Sequence, residues 1–506
     1  MLNLPAPQCR RIGFGCSVWI PACAGTTWQP VIPLSIPMSD TSFAALELPA
    51  PFLANLTQLG YHEMTPVQAA TLPLALGGRD LIAQAKTGSG KTAAFGIGML
   101  LRLNQALFAV QGMVMCPTRE LADQVANELR RLARGIGNVK IVVLTGGIPM
   151  RPQIASLEFG AHIVVGTPGR IQDHLGKGTL DLARLRTLVL DEADRMTDMG
   201  FYDEIAAIVR ACPSYRQTLL FSATYPDDIR QATAPFLTDP EEVAVETRHE
   251  PTRIAQRFYE IGFDNRLEAA ARLLAHFRPA SAILFCNTKA RCRELADYLR
   301  EQGWSARALY GEMEQRDRDE TLILFANRSC TILVATDVAA RGIDVASLEA
   351  VINVDVSKDA EVHVHRIGRT GRAGESGAAL TLAAPNEKKW VKLIEEYQQA
   401  PAEWHPLSEL AEDAYPDGPA AMLTLCIAGG KKDKMRPGDL LGALTGDAGL
   451  HKDQVGKIQI GEFFSYVALD RRVAEEAFER LNGGNTLGPE FGTVKGRHFK
   501  MRFIDV

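Results

Sequence analysis

Residues 85 to 92 read Ala85-Lys86-Thr87-Gly88-Ser89-Gly90-Lys91-Thr92, after a short aliphatic run and at the opening of a helical stretch. Strand, glycine-rich turn and helix in that order make a phosphate-binding P-loop: the glycines let backbone N–H groups face a phosphate, and the positive helix end favours the anion. Lys91 is expected to reach the β- and γ-phosphates, and the Thr92 hydroxyl to ligate Mg²⁺. Ala85 stands where the general motif has Gly, a change that a small side chain tolerates. A chain with this turn needs a parallel sheet to carry it.

The surrounding pattern supplies one. Between residues 43 and 385 aliphatic runs alternate with longer helical stretches, with strands expected at 80–83, 112–116, 141–144, 163–166, 188–190 and 218–221. A second series runs through 282–286, 332–335 and 350–353. Two doubly wound α/β domains in tandem, 38–247 and 248–385, fit the 506 residues. His363 and His365 are expected on a strand and so on one face, but no Cys or carboxylate set accompanies them and no structural metal is expected.

Composition bounds the rest. No apolar run reaches the roughly 18 residues of a membrane span. Nine cysteines without a CxxC pair fit a reduced, cytoplasmic setting. The net charge of −5 hides an asymmetry: residues 421–506 carry +2 and the remainder −7. Residues 386–419 hold eight acids, three lysines and four prolines and read as an acidic linker, with a separate domain at 420–506. The first 37 residues, with six prolines and only Arg10 and Arg11 charged, read as a disordered extension or as sequence upstream of a start at Met38.

Leu188-Val189-Leu190-Asp191-Glu192-Ala193-Asp194 places carboxylates at the carboxyl edge of a buried strand, where ligands bind in such sheets. Asp191 suits the Mg²⁺ shell, and Glu192 suits orienting and deprotonating an attacking water. Together with Pro117-Thr118-Arg119-Glu120, Gly146-Gly147, Thr167-Pro168-Gly169-Arg170 and Ser222-Ala223-Thr224, this stretch resembles the DEAD-box RNA helicases.

The resemblance implies two RecA-like domains, ATP with Mg²⁺, and RNA across both domains. It implies adenine contacts from Phe43, Tyr61 and Gln68, whose amide offers both a donor and an acceptor. It places Pro117, Thr118, Arg119, Gly147, Thr167, Pro168, Gly169 and Arg170 on RNA, joined from the second domain by Gln315, Arg318 and Thr336. Ser222, Thr224 and His365 are expected to couple hydrolysis to domain motion, Asp344 to meet the ribose, and Arg369 and Arg372 to act as arginine fingers.

The tail reads β-α-β-β-α-β, an RRM-like order, with strands at 423–427, 457–461, 464–469 and 498–504. Its stretch Gly429-Gly430-Lys431-Lys432-Asp433-Lys434-Met435-Arg436-Pro437-Gly438-Asp439 resembles the RNA-binding domain of the DbpA-type bacterial helicases. That implies a grip on a 23S ribosomal RNA hairpin near the peptidyl-transferase centre, and work in large-subunit assembly. Lys431, Lys432, Lys434, Arg436, Tyr466 and Arg497 are the expected RNA contacts; four cations in six positions suit phosphates. A monomeric, ATP-dependent RNA helicase is the expected function, with an ATP-gated RNA clamp as the alternative.

Overall fold

The computed structural model describes residues 41–504 except 86, 87, 246–253, 263, 264, 341–347, 372–376, 411–414, 417 and 484–489. The expectations for residues 1–37 and for Lys86, Thr87, Asp344 and Arg372 lie outside the described residues.

The first domain is built on β1 (Leu81–Gln84), β2 (Gly112–Met115), β3 (Ile141–Leu144), β4 (Ile163–Gly166), β5 (Thr187–Asp191), β6 (Gln217–Ser222) and β7 (Glu241–Ala244), all parallel in the order β3-β4-β2-β5-β6-β1-β7. The central strands are buried on both faces, which is why they read as unbroken aliphatic runs. Alternation still divides them: Leu81, Val189, Leu219 and Phe221 pack into one apolar layer, Ile82, Leu188, Leu190 and Leu220 into the other. Because β5, β6 and β1 are neighbours, their carboxyl ends bring the residues after 190, 222 and 84 to one edge.

The second domain repeats the plan with β8 (Ile254–Glu260), β9 (Ala282–Cys286), β10 (Ala306–Leu309), β11 (Ile332–Thr336), β12 (Ala350–Asn353), β13 (Gly377–Ala383) and β14 (Trp404–His405), parallel in the order β10-β11-β9-β12-β13-β8-β14. Two expectations are corrected here. His363 and His365 lie on the helix Ala360–Ile367, so a two-residue offset points them apart: His363 is buried against Phe258, whereas His365 faces the first domain. Much of the acidic stretch is no linker. The helix Lys388–Gln398 buries Val391 and Ile394, β14 extends the sheet beside β8, and Leu410 enters the core. Charge and proline content hid this, since the helix needs only one apolar stripe.

The tail is antiparallel: β15 (Met422–Ile427), β16 (Val455–Ile460), β17 (Ser465–Asp470), β18 (Phe491–Val494) and β19 (Arg497–Ile504), ordered β16-β17-β15-β19-β18. β18 is a strand beyond the expected β-α-β-β-α-β, a short hairpin partner with glycine inside it. Along β15, Leu423, Leu425 and Ile427 face the tail's own core. Thr424 and Cys426 face the opposite way, onto the second domain. There Thr424 accepts from Asn327 Nδ2 (3.1 Å) and pairs with the Ser329 hydroxyl (2.6 Å), while Cys426 and Ile504 join Leu324 and Phe325. The sheet face that an RRM-like order leaves open is thus covered within the chain.

Candidate functional site

Gly90 caps the helix Lys91–Leu101 at φ +93°, and a Cβ there would meet Gln68 Nε2 at 2.4 Å. Glycine is required on both counts. Gln68 lies in the helix Pro66–Leu76, where its Oε1 accepts from the Thr65 N–H (2.9 Å) and its Nε2 donates to the Gly90 carbonyl (3.1 Å). The residue expected to read adenine therefore holds the phosphate turn as well. Phe43 and Tyr61 meet edge-on with ring centroids 6.3 Å apart, and Phe43 is buried. The Tyr61 hydroxyl donates to Glu128 (2.7 Å); burial and this bond raise its pKa. Lys91, also buried, donates to the Ala85 carbonyl at 2.8 Å.

Asp191 ends β5, and Glu192 follows at φ +54°, a left-handed conformation that costs a non-glycine residue about 1–2 kcal/mol. Burial pushes the Asp191 carboxyl up to about 7, against the pull of Lys91. Glu192 Oε2 is buried without a hydrogen-bond donor among the described residues, although Arg195 Nε lies 3.4 Å away. Acceptors exceed donors at this edge, which is the environment a divalent cation satisfies. Asp194 supports the next strand end: its Oδ2 accepts from the Ala223 and Thr224 N–H groups (both 3.2 Å) and the Thr224 hydroxyl (3.3 Å), while its own N–H donates to Ser222 Oγ (3.2 Å).

Across the cleft, Arg195 Nη2 donates to His365 Nδ1 at 3.1 Å, so the imidazole is neutral there; burial first and Arg195 second lower its pKa to about 4. A cavity of about 130 Å³ lies between Asp194, Arg195 and Thr224 on one side and His365, Arg366 and Arg369 on the other. Arg366 was not among the residues expected at the site. It is 2 % exposed, bonds bidentately to Asp337 (2.6 and 2.7 Å), donates to Asn287 Oδ1 (2.8 Å), and lies 5.1 Å from the Phe285 ring centroid. Its charge anchors the helix that presents His365 and Arg369. The sequence holds both partners, a carboxylate at 337 and an arginine at 366, but pairing over 29 residues has no local pattern.

The expected RNA residues fall into two groups. Thr118 caps the helix Arg119–Ala133, Arg119 lies across Gly147, where a Cβ would overlap its guanidinium, and its Nη1 donates to Gln315 of the second domain (2.5 Å). Arg318 binds Glu120 (2.5 Å) and the Ala339 carbonyl (2.7 Å). Arg170 holds the Ile148 carbonyl (3.1 Å) and Gln153 (2.9 Å), beside Thr167, Pro168 and an unobstructed Gly169 at a helix start; Thr336 ends β11. The second group is in the tail. Lys431, Lys432, Lys434 and Arg436 are exposed on a turn bound to the β16–β17 hairpin, by Lys431 N–H to Gly461 O (2.9 Å) and Lys432 N–H to Glu462 O (3.2 Å). Lys432 Nζ sits 4.0 Å above the exposed Phe463 ring, and Arg497 braces the turn through the Asp433 carbonyl (2.7 Å).

Tyr466, also expected on RNA, lies apart from both groups. It lies on the covered sheet face, half-buried beside Cys426 and the second domain, and burial pushes its hydroxyl up to about 12. Its neighbours are Cys426, Glu320, Arg316 and Arg502, which sets it apart from the basic turn.

Two parallel sheets facing across a cleft, with a phosphate turn and paired carboxylates on one and arginines on the other, define a nucleotide-driven RNA helicase core. Three family descriptions match: DEAD/DEAH box helicase over residues 65–232, Helicase conserved C-terminal domain over 265–374 and DbpA RNA binding domain over 424–501. The ATP-dependent RNA helicase DbpA of Escherichia coli is 51 % identical over 92 % of this chain and 100 % of its own. The DEAD-box ATP-dependent RNA helicase CshA of Geobacillus kaustophilus is 44 % identical over 69 % of this chain and 74 % of its own. Among solved structures, S. cerevisiae Dbp5 bound to RNA and ADP BeF3 is similar with a TM-score of 0.68, at 28 % identity, covering 73 % of this chain and 96 % of that one. The chain belongs to the DEAD-box ATP-dependent RNA helicases, and within them to the DbpA type.

Proposed function

We propose that this helicase is held by its tail to a hairpin of 23S ribosomal RNA and remodels a nearby short duplex during assembly of the large ribosomal subunit. The observation that carries the reading is the exposed turn Lys431 to Arg436, braced by Arg497 and the β16–β17 hairpin, on a domain fixed to the second core domain through Thr424. Phosphate contacts hold the RNA in register without reading bases, and Phe463 under Lys432 offers a stacking face.

At the nucleotide, Lys91, Ser89 and the turn glycines receive the phosphates, and Gln68 and Phe43 the base. Thr92 and Asp191 would hold Mg²⁺, which neutralises charge on the phosphate oxygens when bound. Glu192 orients and deprotonates the attacking water, and Arg369 and Arg372 close from the other domain. Because these fingers belong to the second domain and the phosphate turn to the first, hydrolysis is conditional on a closed cleft.

The test is ATP hydrolysis at matched salt with no RNA, an unrelated duplex, and a 23S fragment carrying the peptidyl-transferase hairpin. Selective stimulation by the fragment, lost in Lys431→Glu/Lys432→Glu, is expected. Equal stimulation by all RNAs would reduce the proposal to a general helicase. Charge reversal is preferable to deleting residues 421–506, since deletion would bare the face of the second domain that meets Cys426 and Ile504.

A further inference from the structure

A cavity of about 600 Å³ opens between the second core domain and the tail, away from the nucleotide cleft. Its described lining carries three cations, Arg278, Arg328 and Lys457, two aromatic rings, Trp304 and Tyr415, and no carboxylate. The three cations and Tyr415 are exposed. Asn327 also lines it: only 2 % exposed, it donates from Nδ2 to Thr424 while its Oδ1 has no hydrogen-bond partner among the described residues, leaving a buried acceptor in the wall.

Cations that track phosphates, with rings on which bases stack, make a single-strand platform. We infer that this groove holds single-stranded RNA running out of the tail-bound hairpin. The inference rests on the tail reading above and adds a second contact to it. Position supports the assignment. Arg328 and Asn327 stand just beyond the helix Gln315–Ala326, whose first turn carries Gln315 and Arg318 at the core's interdomain contacts. Its 12 residues span about 18 Å, so one rigid helix fixes the distance between the groove and the core. Lys457, from β16, closes the groove from the tail side.

The experiment measures binding of a labelled stem–loop with and without a single-stranded extension of about ten uridines, a length within single-strand site sizes, to the full chain over a salt series. The extension is expected to raise wild-type affinity at least tenfold. Arg278→Glu/Arg328→Glu/Lys457→Glu is expected to abolish that gain, lower the salt slope for the extended RNA by about 2, and leave stem–loop affinity within twofold. Tyr415→Ala should lose part of the gain at unchanged salt slope. No gain in wild type, or an undiminished gain in the triple variant, overturns the inference; the second result is also what a groove for a protein segment would give. Lys431→Glu/Lys432→Glu separates the two proposals: if it leaves stem–loop affinity intact, the tail reading fails, whereas the extension gain still reports on the groove.

Discussion

Arg195 Nη2, on the first domain, donates to Nδ1 of His365, on the second, across 3.1 Å. Only a neutral imidazole can accept this bond, so the contact between the domains depends on proton concentration. With its pKa lowered from 6.5 to about 4 where the two domains meet, His365 favours that contact fully above pH 6.5 and progressively less as pH falls toward 4. Interdomain fluorescence transfer with ATP and RNA bound should show closure weakening by up to about tenfold per pH unit in that window. His365→Gln, which keeps an acceptor but does not titrate, should flatten the profile. An equally steep profile in the variant would show that another group titrates.

His363 makes a separate prediction about stability. It is buried, both ring nitrogens lack partners among the described residues, and burial lowers its pKa from 6.5 to about 3. The unfolded chain therefore binds a proton that the folded one refuses, and stability falls as pH drops from 6.5 toward 3. Between about pH 7 and pH 5 the loss is about 2 kcal/mol from this group. Urea unfolding of His363→Leu should lack that part of the pH dependence; matching curves for the two proteins would contradict it.

Glu192→Gln keeps the shape and the left-handed backbone while removing the base. Single-turnover hydrolysis should fall by about 10²–10⁴, with affinity for a non-hydrolysable ATP analogue within about twofold. Comparable turnover would assign water activation elsewhere.

Gly90→Ala should weaken nucleotide binding by tenfold or more, because the new Cβ meets the Gln68 amide and the φ of +93° is unfavourable for alanine. Adding Gln68→Ala should not restore binding, since it relieves the collision but leaves the backbone strain and removes the amide that holds the turn and meets the base. Calorimetric titration of both variants checks the ranking.

Tyr466→Ala is expected to leave the affinity for the hairpin fragment within about twofold, whereas Lys431→Glu/Lys432→Glu should reduce it steeply and lower its salt slope. The reverse ranking would return RNA to the sheet face.

The core strands were legible because burial on both faces leaves aliphatic runs, as at Leu188 to Leu190 and Ile163 to Val165. The phosphate turn and the carboxylates after β5 were legible because their chemistry is local. What escaped was non-local: Arg366 with Asp337, the short β14 beside β8, and the helix around His365, whose alternating histidines imitate a strand. The packing around Tyr466 escaped for the same reason, since a strand's alternation says which residues share a face but not what covers it.

Grafting the tail onto another protein would uncover the sheet that the second domain now hides. Cut away at residue 420, it would present Cys426, Ile504 and Tyr466 to water as a bare apolar face, with Thr424 stripped of Asn327 and Ser329. Such a face invites self-association. The domain is portable only with polar replacements on β15, β17 and β19, or with the helix Gln315–Ala326 carried along as its lid.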